Sequence, residues 1–182
     1  MSDDAGTAGE AVHDTPLPGI HWEIRVAGPS DLDAIMALET STFGTDAWSP
    51  AMMRSDLAQK HCYYLVAENP ELRGVAGFPL GGYAGLLSPQ GAADADIQTI
   101  AVAPDARGHG LGRTLMRALI AEAVRRGARR VFLEVRADNP GAQHLYETLG
   151  FTSIGIRRGY YQPDNVDAVV MRVELDTQRG IS

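Results

Sequence analysis

Apolar and polar residues follow two spacings along this chain, one with a period of two and one with a helical period. Alternating or short β-branched runs predict strands over residues 22–27, 63–67, 75–87, 95–102, 130–136, 151–158 and 166–175. Apolar positions at helical spacing predict helices after Ser30, after Ser49, over 111–126 and after Asn139. The predicted order is β-α-α-β-β-β-α-β-α-β-β, and the conformation of 72–92 stays open.

Residues that start and stop helices support these boundaries. Ser30, Ser49 and Asn139 each precede a helical pattern and can accept a hydrogen bond from its first turn. Ser30 has an acid three residues later, and the other two are followed by proline. Gly127 and Gly150 follow the last two helices, as expected for residues that end a helix.

The most informative local pattern is a strand, a glycine-rich turn and a helix over residues 97–126. The sequence RGHGLG at 107–112 joins a strand that ends before Pro104 to an amphipathic helix. Glycines let the backbone approach a ligand closely, and the first-turn N–H groups of a helix lack helical acceptors. The turn therefore suits an anion, most often a phosphate.

Two common nucleotide-binding patterns do not fit this turn. The dinucleotide-binding pattern needs glycine where the chain has Arg113, and no Gly-Lys-Ser/Thr sequence follows as in a P-loop. The pattern that remains is Arg-x-x-Gly-x-Gly over 107–112. The alternative interpretation is a glycine-rich turn before an ordinary amphipathic helix.

Composition narrows the class of protein. The chain has 182 residues, 45% of them hydrophobic, which fits one globular domain. The sequence shows neither an apolar run long enough to span a membrane nor a secretory signal, so we expect a soluble, cytoplasmic protein without membrane attachment. A single cysteine, Cys62, excludes an internal disulfide, and no Cys/His cluster has metal-site spacing, so no metal is expected.

Negative charge is concentrated near the N-terminus. The formal charge is −7, and residues 1–20 contain acids but no Lys or Arg. That segment also lacks periodic apolar positions, which predicts a disordered tail over 1–20. The folded domain is expected over 21–176, followed by a short tail over 177–182. Because the folded part is mildly acidic, direct nucleic-acid binding is disfavoured.

Four sequence pieces point to a family. IAVAP at 100–104, RGHGLG at 107–112, LEVRADN at 133–139 and LYETLGF at 145–151 occur in series. Together they resemble the GNAT acetyltransferases, and the resemblance covers residues 22–175. It implies an α/β fold with a mixed central sheet flanked by helices. LEVRADN and the later RRGYY are similar to the bacterial RimI group of protein N-terminal acetyltransferases, although that group has Asn where this chain has Gly159.

The resemblance implies acetyl-CoA as the acetyl donor. Backbone groups of Ile100, Ala101 and Val102 would pair with the pantetheine arm, and an amide there would face the thioester oxygen. Asn139 would hydrogen-bond the coenzyme, or act only as a helix cap. The pyrophosphate would lie on the turn formed by Arg107, Gly108, His109, Gly110, Leu111, Gly112 and Arg113.

Two side chains are the candidate proton carriers. Glu134 is the only acid in an otherwise apolar strand, and the resemblance makes it the general base, directly or through a water. The alternatives are a carboxylate that faces solvent or pairs with an arginine, with Glu39 as the substitute base. The resemblance makes Tyr146 the general acid toward the coenzyme sulfur and a further coenzyme contact, although a tyrosine in an apolar helical stripe is usually a core residue. His109 is expected near phosphate rather than as an acid or base.

Aromatic residues form the candidate acceptor wall. Phe43 and Trp48 bracket the connection between the first two helices, which commonly walls the acceptor site in GNAT enzymes. The alternative is that they only hold the two helices together. Tyr160 and Tyr161 follow the arginine pair near the C-terminus and complete the predicted wall.

The resemblance therefore implies direct acetyl transfer, without an acyl-enzyme, to a protein N-terminal α-amine. The implied acceptor is the N-terminal alanine of ribosomal protein S18, and the expected working form is a monomer or weak dimer. Two other functions stay open. One is acetylation of lysine side chains or a small amine, and the other is a non-catalytic acyl-CoA-binding module.

Overall fold

The computed structural model describes residues 21–72 and 80–175. The predicted tails at 1–20 and 177–182 lie outside those residues, as do residues 73–79 of the region left open. The described elements follow the predicted order. The strands are β1 (Glu23–Val26), β2 (Cys62–Glu68), β3 (Gly82–Leu87), β4 (Asp94–Val102), β5 (Arg130–Arg136), β6 (Thr152–Tyr161) and β7 (Val166–Glu174). The helices are α1 (Leu32–Phe43), α2 (Pro50–Ala58), α3 (Leu111–Arg126) and α4 (Pro140–Thr148).

The strands of the described residues form one sheet in the order β1-β2-β3-β4-β5-β7-β6. Neighbouring strands are antiparallel except β4 and β5, which run parallel, so the predicted mixed sheet is confirmed. β4 and β5 pair only at 94–96 and 130–132. Beyond those residues the two strands diverge, and the edges of 97–102 and 133–136 face each other across a gap.

Helices cover both faces of the sheet. α3 and α4 pack on one face, where Leu115 and Leu119 are fully buried. α1 and α2 pack on the opposite face, where Ile35 and Met53 are fully buried. None of the helices in the described residues is long and apolar enough to cross a membrane. The gap between β4 and β5 is therefore bordered by helices from both faces.

Several predicted helix boundaries are confirmed by their capping contacts. Ser49 Oγ accepts a hydrogen bond from the Met52 N–H at 3.2 Å, at the start of α2. Asn139 Oδ1 accepts one from the Ala142 N–H at 3.1 Å, at the start of α4. α3 ends at Gly127, whose φ of 97° is left-handed and suits glycine.

The prediction that Ser30 caps the first helix is wrong. Pro29–Asp31 form a 3-10 turn before α1. The Asp31 carboxylate accepts the Gly28 N–H at 2.8 Å and two hydrogen bonds from Arg25 at 2.8 and 2.9 Å. A tertiary ion pair with β1 therefore fixes the entry to α1, and a local capping pattern does not reveal such a pair.

β6 extends farther than its sequence pattern predicted, past Arg158 to Tyr161. Gly159 has a φ of 56°, and its N–H donates to Asp167 Oδ1 at 2.8 Å. Glycine adopts this conformation at little cost, so the strand bulges there and then continues. Tyr160 and Tyr161 therefore extend from a strand and not from a loop.

Candidate active site

A cleft of about 1020 Å³ occupies the gap between β4 and β5. Residues 97–102 line one side and residues 133–136 line the other. The starts of α3 and α4 border the cleft on one face of the sheet, and α1 with the α1–α2 connection borders it on the opposite face. The divergence of two parallel strands thus creates a passage through the sheet.

Nearly all the predicted coenzyme residues line this cleft. They are Ile100, Ala101, Val102, Arg107, Gly108, Gly110, Leu111, Gly112, Arg113, Asn139 and Tyr146. His109 is not among the lining residues, because its Nδ1 lies 2.7 Å from the Arg107 carbonyl oxygen and its ring folds back on the turn. The roles of all these residues in coenzyme binding stay predictions.

The glycine-rich turn has the backbone geometry that its sequence suggests. Gly108 and Gly110 have φ values of 77° and 79°, in the left-handed region that glycine favours. The Arg107 Nε donates to the Val102 carbonyl at 2.9 Å and so braces the turn against the end of β4. α3 starts directly after the turn, and its first N–H groups lack helical acceptors. This end of the cleft can therefore bind an anion through backbone amides.

Glu134 lies in the cleft wall and forms an ion pair. Its Oε1 is 2.7 Å from the Arg157 guanidinium, with the Glu134 side chain 27% exposed and that of Arg157 57% exposed. Arg157 also lies 5.5 Å from the centre of the Tyr160 ring. A hydrogen bond to Glu134 is the main cause of a raised Tyr160 pKa. Glu134 therefore pairs with an arginine, which was the alternative interpretation, and it also lines the cleft.

Tyr146 is a buried donor at the edge of the cleft. It is 6% exposed and packs against the Phe151 ring at 6.1 Å between ring centres. Burial raises the Tyr146 pKa to about 12, with a smaller contribution from Tyr161. The hydroxyl is therefore protonated at neutral pH, which a general acid requires.

The predicted acceptor residues are divided between the cleft wall and its rim. Phe43, Trp48 and Tyr161 line the cleft, whereas Tyr160 does not. Phe43 and Trp48 also pack against the core cluster on the α1 and α2 face, so they hold the two helices together as well. Tyr160 and Tyr161 form an edge-to-face pair with ring centres 5.2 Å apart.

Sequence reasoning missed most of a buried polar chain on the α1 side of the cleft. Glu39, named only as a substitute base, is 1% exposed, and burial raises its pKa. Its carboxylate accepts the Trp48 N–H at 2.8 Å and a short hydrogen bond from the Tyr83 hydroxyl. That hydroxyl lies 3.0 Å from Thr99 Oγ1. A sequence signal for this buried acid was available, because Glu39 lies one turn after Ile35 and therefore within the apolar stripe of α1.

Arg136 is a second residue that sequence reasoning missed. It lines the cleft at the end of β5 and contacts the carboxylates of Asp46, Asp138 and Asp164. No local pattern indicates that these residues meet, because Asp46 lies 90 positions and Asp164 lies 28 positions from Arg136.

Comparison with known proteins shows which family the chain belongs to. Residues 32–151 match the acetyltransferase (GNAT) family, and the chain belongs to that family. Its members use acetyl-CoA as the acetyl donor, so the cleft is that of an acetyl-CoA-dependent acetyltransferase.

Three relatives show how close the similarity is. The chain is 38% identical to the N-alpha-acetyltransferase RimI of Mycobacterium tuberculosis over 79% of this chain and 86% of that protein. It is similar to the structure of the ribosomal-protein-S18-alanine N-acetyltransferase from Escherichia coli, with a TM-score of 0.71, 30% identity and coverage of 85% and 94%. NAA60 of Arabidopsis thaliana, solved with acetyl-CoA, shares the fold with a TM-score of 0.76, 16% identity and coverage of 85% and 99%.

Proposed function

We propose that this chain transfers the acetyl group of acetyl-CoA to the N-terminal α-amine of a protein, with the N-terminal alanine of ribosomal protein S18 as the acceptor. The observation that carries the proposal is the presence of Glu134, Tyr146 and the start of α3 in one cleft. The relatives named for N-alpha and S18-alanine acetylation support the choice of acceptor. That acceptor also implies that the enzyme works in the cytoplasm.

Acetyl-CoA, the acetyl donor, fits the glycine-rich end of the cleft. Its pyrophosphate would accept hydrogen bonds from the first N–H groups of α3, where the positive end of the helix dipole also lies. Its pantetheine arm would pair with the edge of residues 100–102, which β5 leaves unpaired. The acetyl carbon would then lie between β4 and β5, where the cleft passes through the sheet.

The acceptor arrives as an ammonium, so its nitrogen must lose one proton before it attacks the acetyl carbon and a second proton as the amide forms. Glu134 would take the first proton directly or through a water, and the second would pass to solvent. A peptide α-amine has a pKa of roughly 7.7–8.0 and a lysine ε-amine one of roughly 10.4, so the α-amine needs the weaker base near neutral pH. Because Arg157 pairs with the same carboxylate, the acceptor ammonium would have to share or displace that contact.

The departing sulfur must gain a proton as the carbon–sulfur bond breaks. Tyr146 would donate it from its hydroxyl, and solvent would return a proton to the tyrosine afterwards. A backbone amide of residues 100–102 would stabilise the oxygen of the tetrahedral intermediate. No step in this scheme needs an acyl-enzyme: the nitrogen loses two protons, the sulfur gains one, and one proton is released to solvent overall.

Acceptor peptides test the proposal. We expect turnover with a peptide that carries the S18 N-terminus, and little turnover with the same peptide when its α-amine is blocked and an internal lysine is the only amine. Mass spectrometry should place the acetyl group on the first residue. Preferential acetylation of the lysine, or of a small free amine, would contradict the proposal and support the corresponding alternative.

A further inference from the structure

Arg136 brings three separate segments of the chain to one guanidinium group. Its Nη1 donates to Asp46 at 2.6 Å, in the α1–α2 connection. Its Nε and Nη2 each donate to Asp138 at 3.0 Å, in the turn before α4. Nη2 also donates to Asp164 at 3.2 Å, in the β6–β7 turn. The guanidinium carbon lies 5.3 Å from the centre of the Tyr161 ring, which adds a cation–π contact.

These contacts are partly shielded from water. The Arg136 side chain is 25% exposed and that of Asp46 is 13% exposed. An isolated exposed ion pair contributes little to stability, but a planar guanidinium shared by several carboxylates forms a network with defined geometry. Without the arginine, three carboxylates would face one another across the same space, and their repulsion would favour separation of the segments.

Two of the three segments carry, or directly follow, an aromatic side chain of the cleft. The α1–α2 connection carries Trp48, and the end of β6 carries Tyr161. Arg136 lies two residues after Glu134 on β5, and alternation along a strand puts both side chains on the same face. Arg136 therefore links the strand that carries Glu134 to the segments next to both aromatic side chains.

We infer that Arg136 is a positioning residue for the acceptor, because it holds the α1–α2 connection and the β6–β7 turn at a fixed distance from Glu134. The inference rests on the proposed function, since it assumes that a peptide amine enters between these walls. It does not extend to the coenzyme end of the cleft. There Asn139 is held by its N–H bond to the Arg136 backbone carbonyl at 3.1 Å and by its capping contact, and neither needs the Arg136 side chain.

Arg130 provides a matched control on the same strand. Its side chain lies on the same face of β5 and pairs with Asp94 at 2.7 Å. It does not line the cleft. Arg130→Gln therefore removes one guanidinium and one ion pair from β5 without a change at the acceptor walls.

Steady-state kinetics with the S18 peptide test the inference. Arg136→Gln should raise the KM for the peptide by about tenfold or more, because loosely held walls no longer preorient the amine. The Kd for acetyl-CoA should stay within about twofold of the wild-type value, as should both constants in Arg130→Gln. Arg136→Lys keeps the charge but not the fork of nitrogens, so its KM should lie between those of the wild type and the glutamine variant.

A double-mutant cycle tests whether Arg136 acts through its carboxylate partners. Asp46→Asn alone should raise the peptide KM. Combined with Arg136→Gln, it should add almost nothing, because the contact is already lost. Additive effects of the two substitutions would mean that Arg136 does not act through the α1–α2 connection, and would overturn the inference.

Hydrogen exchange gives a readout that does not depend on the identity of the acceptor. Amides of residues 43–48 and 161–165 should exchange at least about fivefold faster in Arg136→Gln than in Arg130→Gln. Unchanged exchange in these segments, or equal losses of peptide and acetyl-CoA affinity, would overturn the inference. A wild-type enzyme that fails to acetylate the peptide would instead defeat the proposed acceptor, and the exchange rates would still decide the role of Arg136.

Discussion

Two cations compete for the Glu134 carboxylate: the Arg157 guanidinium and the ammonium of the proposed acceptor. The carboxylate pairs with Arg157 at 2.7 Å, and the proposed acceptor arrives as a protonated amine that needs the same oxygen atoms. The Arg157 side chain is more than half exposed, so it can turn toward solvent without leaving a buried charge behind. The ion pair and the proposed base role are therefore compatible at this residue.

Glu134→Gln should lower kcat/KM for the peptide by about 10² to 10⁴, because the amide keeps the shape of the side chain but cannot accept the proton. Activity should recover partly as the pH rises and the amine loses its proton unaided. Glu174→Gln is the control, since Glu174 is also a strand carboxylate paired with an arginine, Arg172 at 2.9 Å, but lies outside the cleft lining. Near wild-type activity of Glu134→Gln at pH 6 to 7 would move the base to Glu39 or to a bound water.

Tyr146→Phe should lower kcat and leave the acetyl-CoA Kd nearly unchanged, because only the hydroxyl is removed. The Tyr146 pKa is raised to about 12, so the acid form persists below that value and should not limit the rate at any pH from 6 to 10. Tyr64→Phe, which removes a hydroxyl bonded to Asp56 outside the cleft lining, is the control. A tenfold loss of coenzyme affinity in Tyr146→Phe would show that the hydroxyl serves binding instead.

Elements with strong local signals could be predicted from the sequence, and elements fixed by tertiary contacts could not. α3 has an apolar stripe and a glycine stop, and the structure confirms both. The entry to α1 has a local cap signal at Ser30, but the ion pair between Asp31 and Arg25 overrides it. The β6 strand was predicted to end at residue 158, whereas a bulge at Gly159 lets it continue to Tyr161.

Gly110→Val should raise the acetyl-CoA Kd by about tenfold or more, because a β-branched residue at positive φ forces the turn to rearrange and moves the first N–H groups of α3. Gly91→Val is a close control. Gly91 has a φ of 78°, and, as at Gly110, a side-chain carbon would meet no atom within 4 Å. It lies outside the cleft, so it shares the backbone strain but not the site. Calorimetry that shows equal losses in both variants would attribute the effect to general strain.

Asp31→Asn tests how the entry to α1 contributes to stability. The hydrogen bonds from Arg25 lower the Asp31 pKa in the folded protein. A lowered folded-state pKa stabilises the fold above the unfolded-state value, and that contribution is lost as the pH falls through the folded-state value. At pH 7 the variant should lose about 1–3 kcal/mol of unfolding free energy. Urea titrations should show the difference shrinking below about pH 4, and a difference that grew in acid would contradict this assignment.

At the scale of the whole molecule, the residues of the proposed coenzyme side of the cleft were easier to group from the sequence than those of the proposed acceptor side. The glycine-rich turn and Asn139 belong to a continuous stretch around α3, β5 and α4, so sequence spacing alone groups them. The acceptor side depends on β7 lying between β5 and β6, which brings Arg157 to Glu134 and Asp164 to Arg136. The position of β7 between β5 and β6 is a property of the tertiary fold, and the periodicity of apolar residues along the chain does not predict it.

Residues 1–20 provide the last prediction, which concerns the folded domain as a unit. Their sequence carries acids, no Lys or Arg and no periodic apolar positions, so it offers little apolar surface to bury against the domain. Deletion of these residues should leave the melting temperature within about 1 °C and kcat/KM within about twofold, because exposed charges are screened within about 8 Å at physiological salt. Repeating both measurements at low salt would show any long-range effect of the acids on acceptor binding. A drop of several degrees at physiological salt would mean that the segment contributes to the stability of the folded domain.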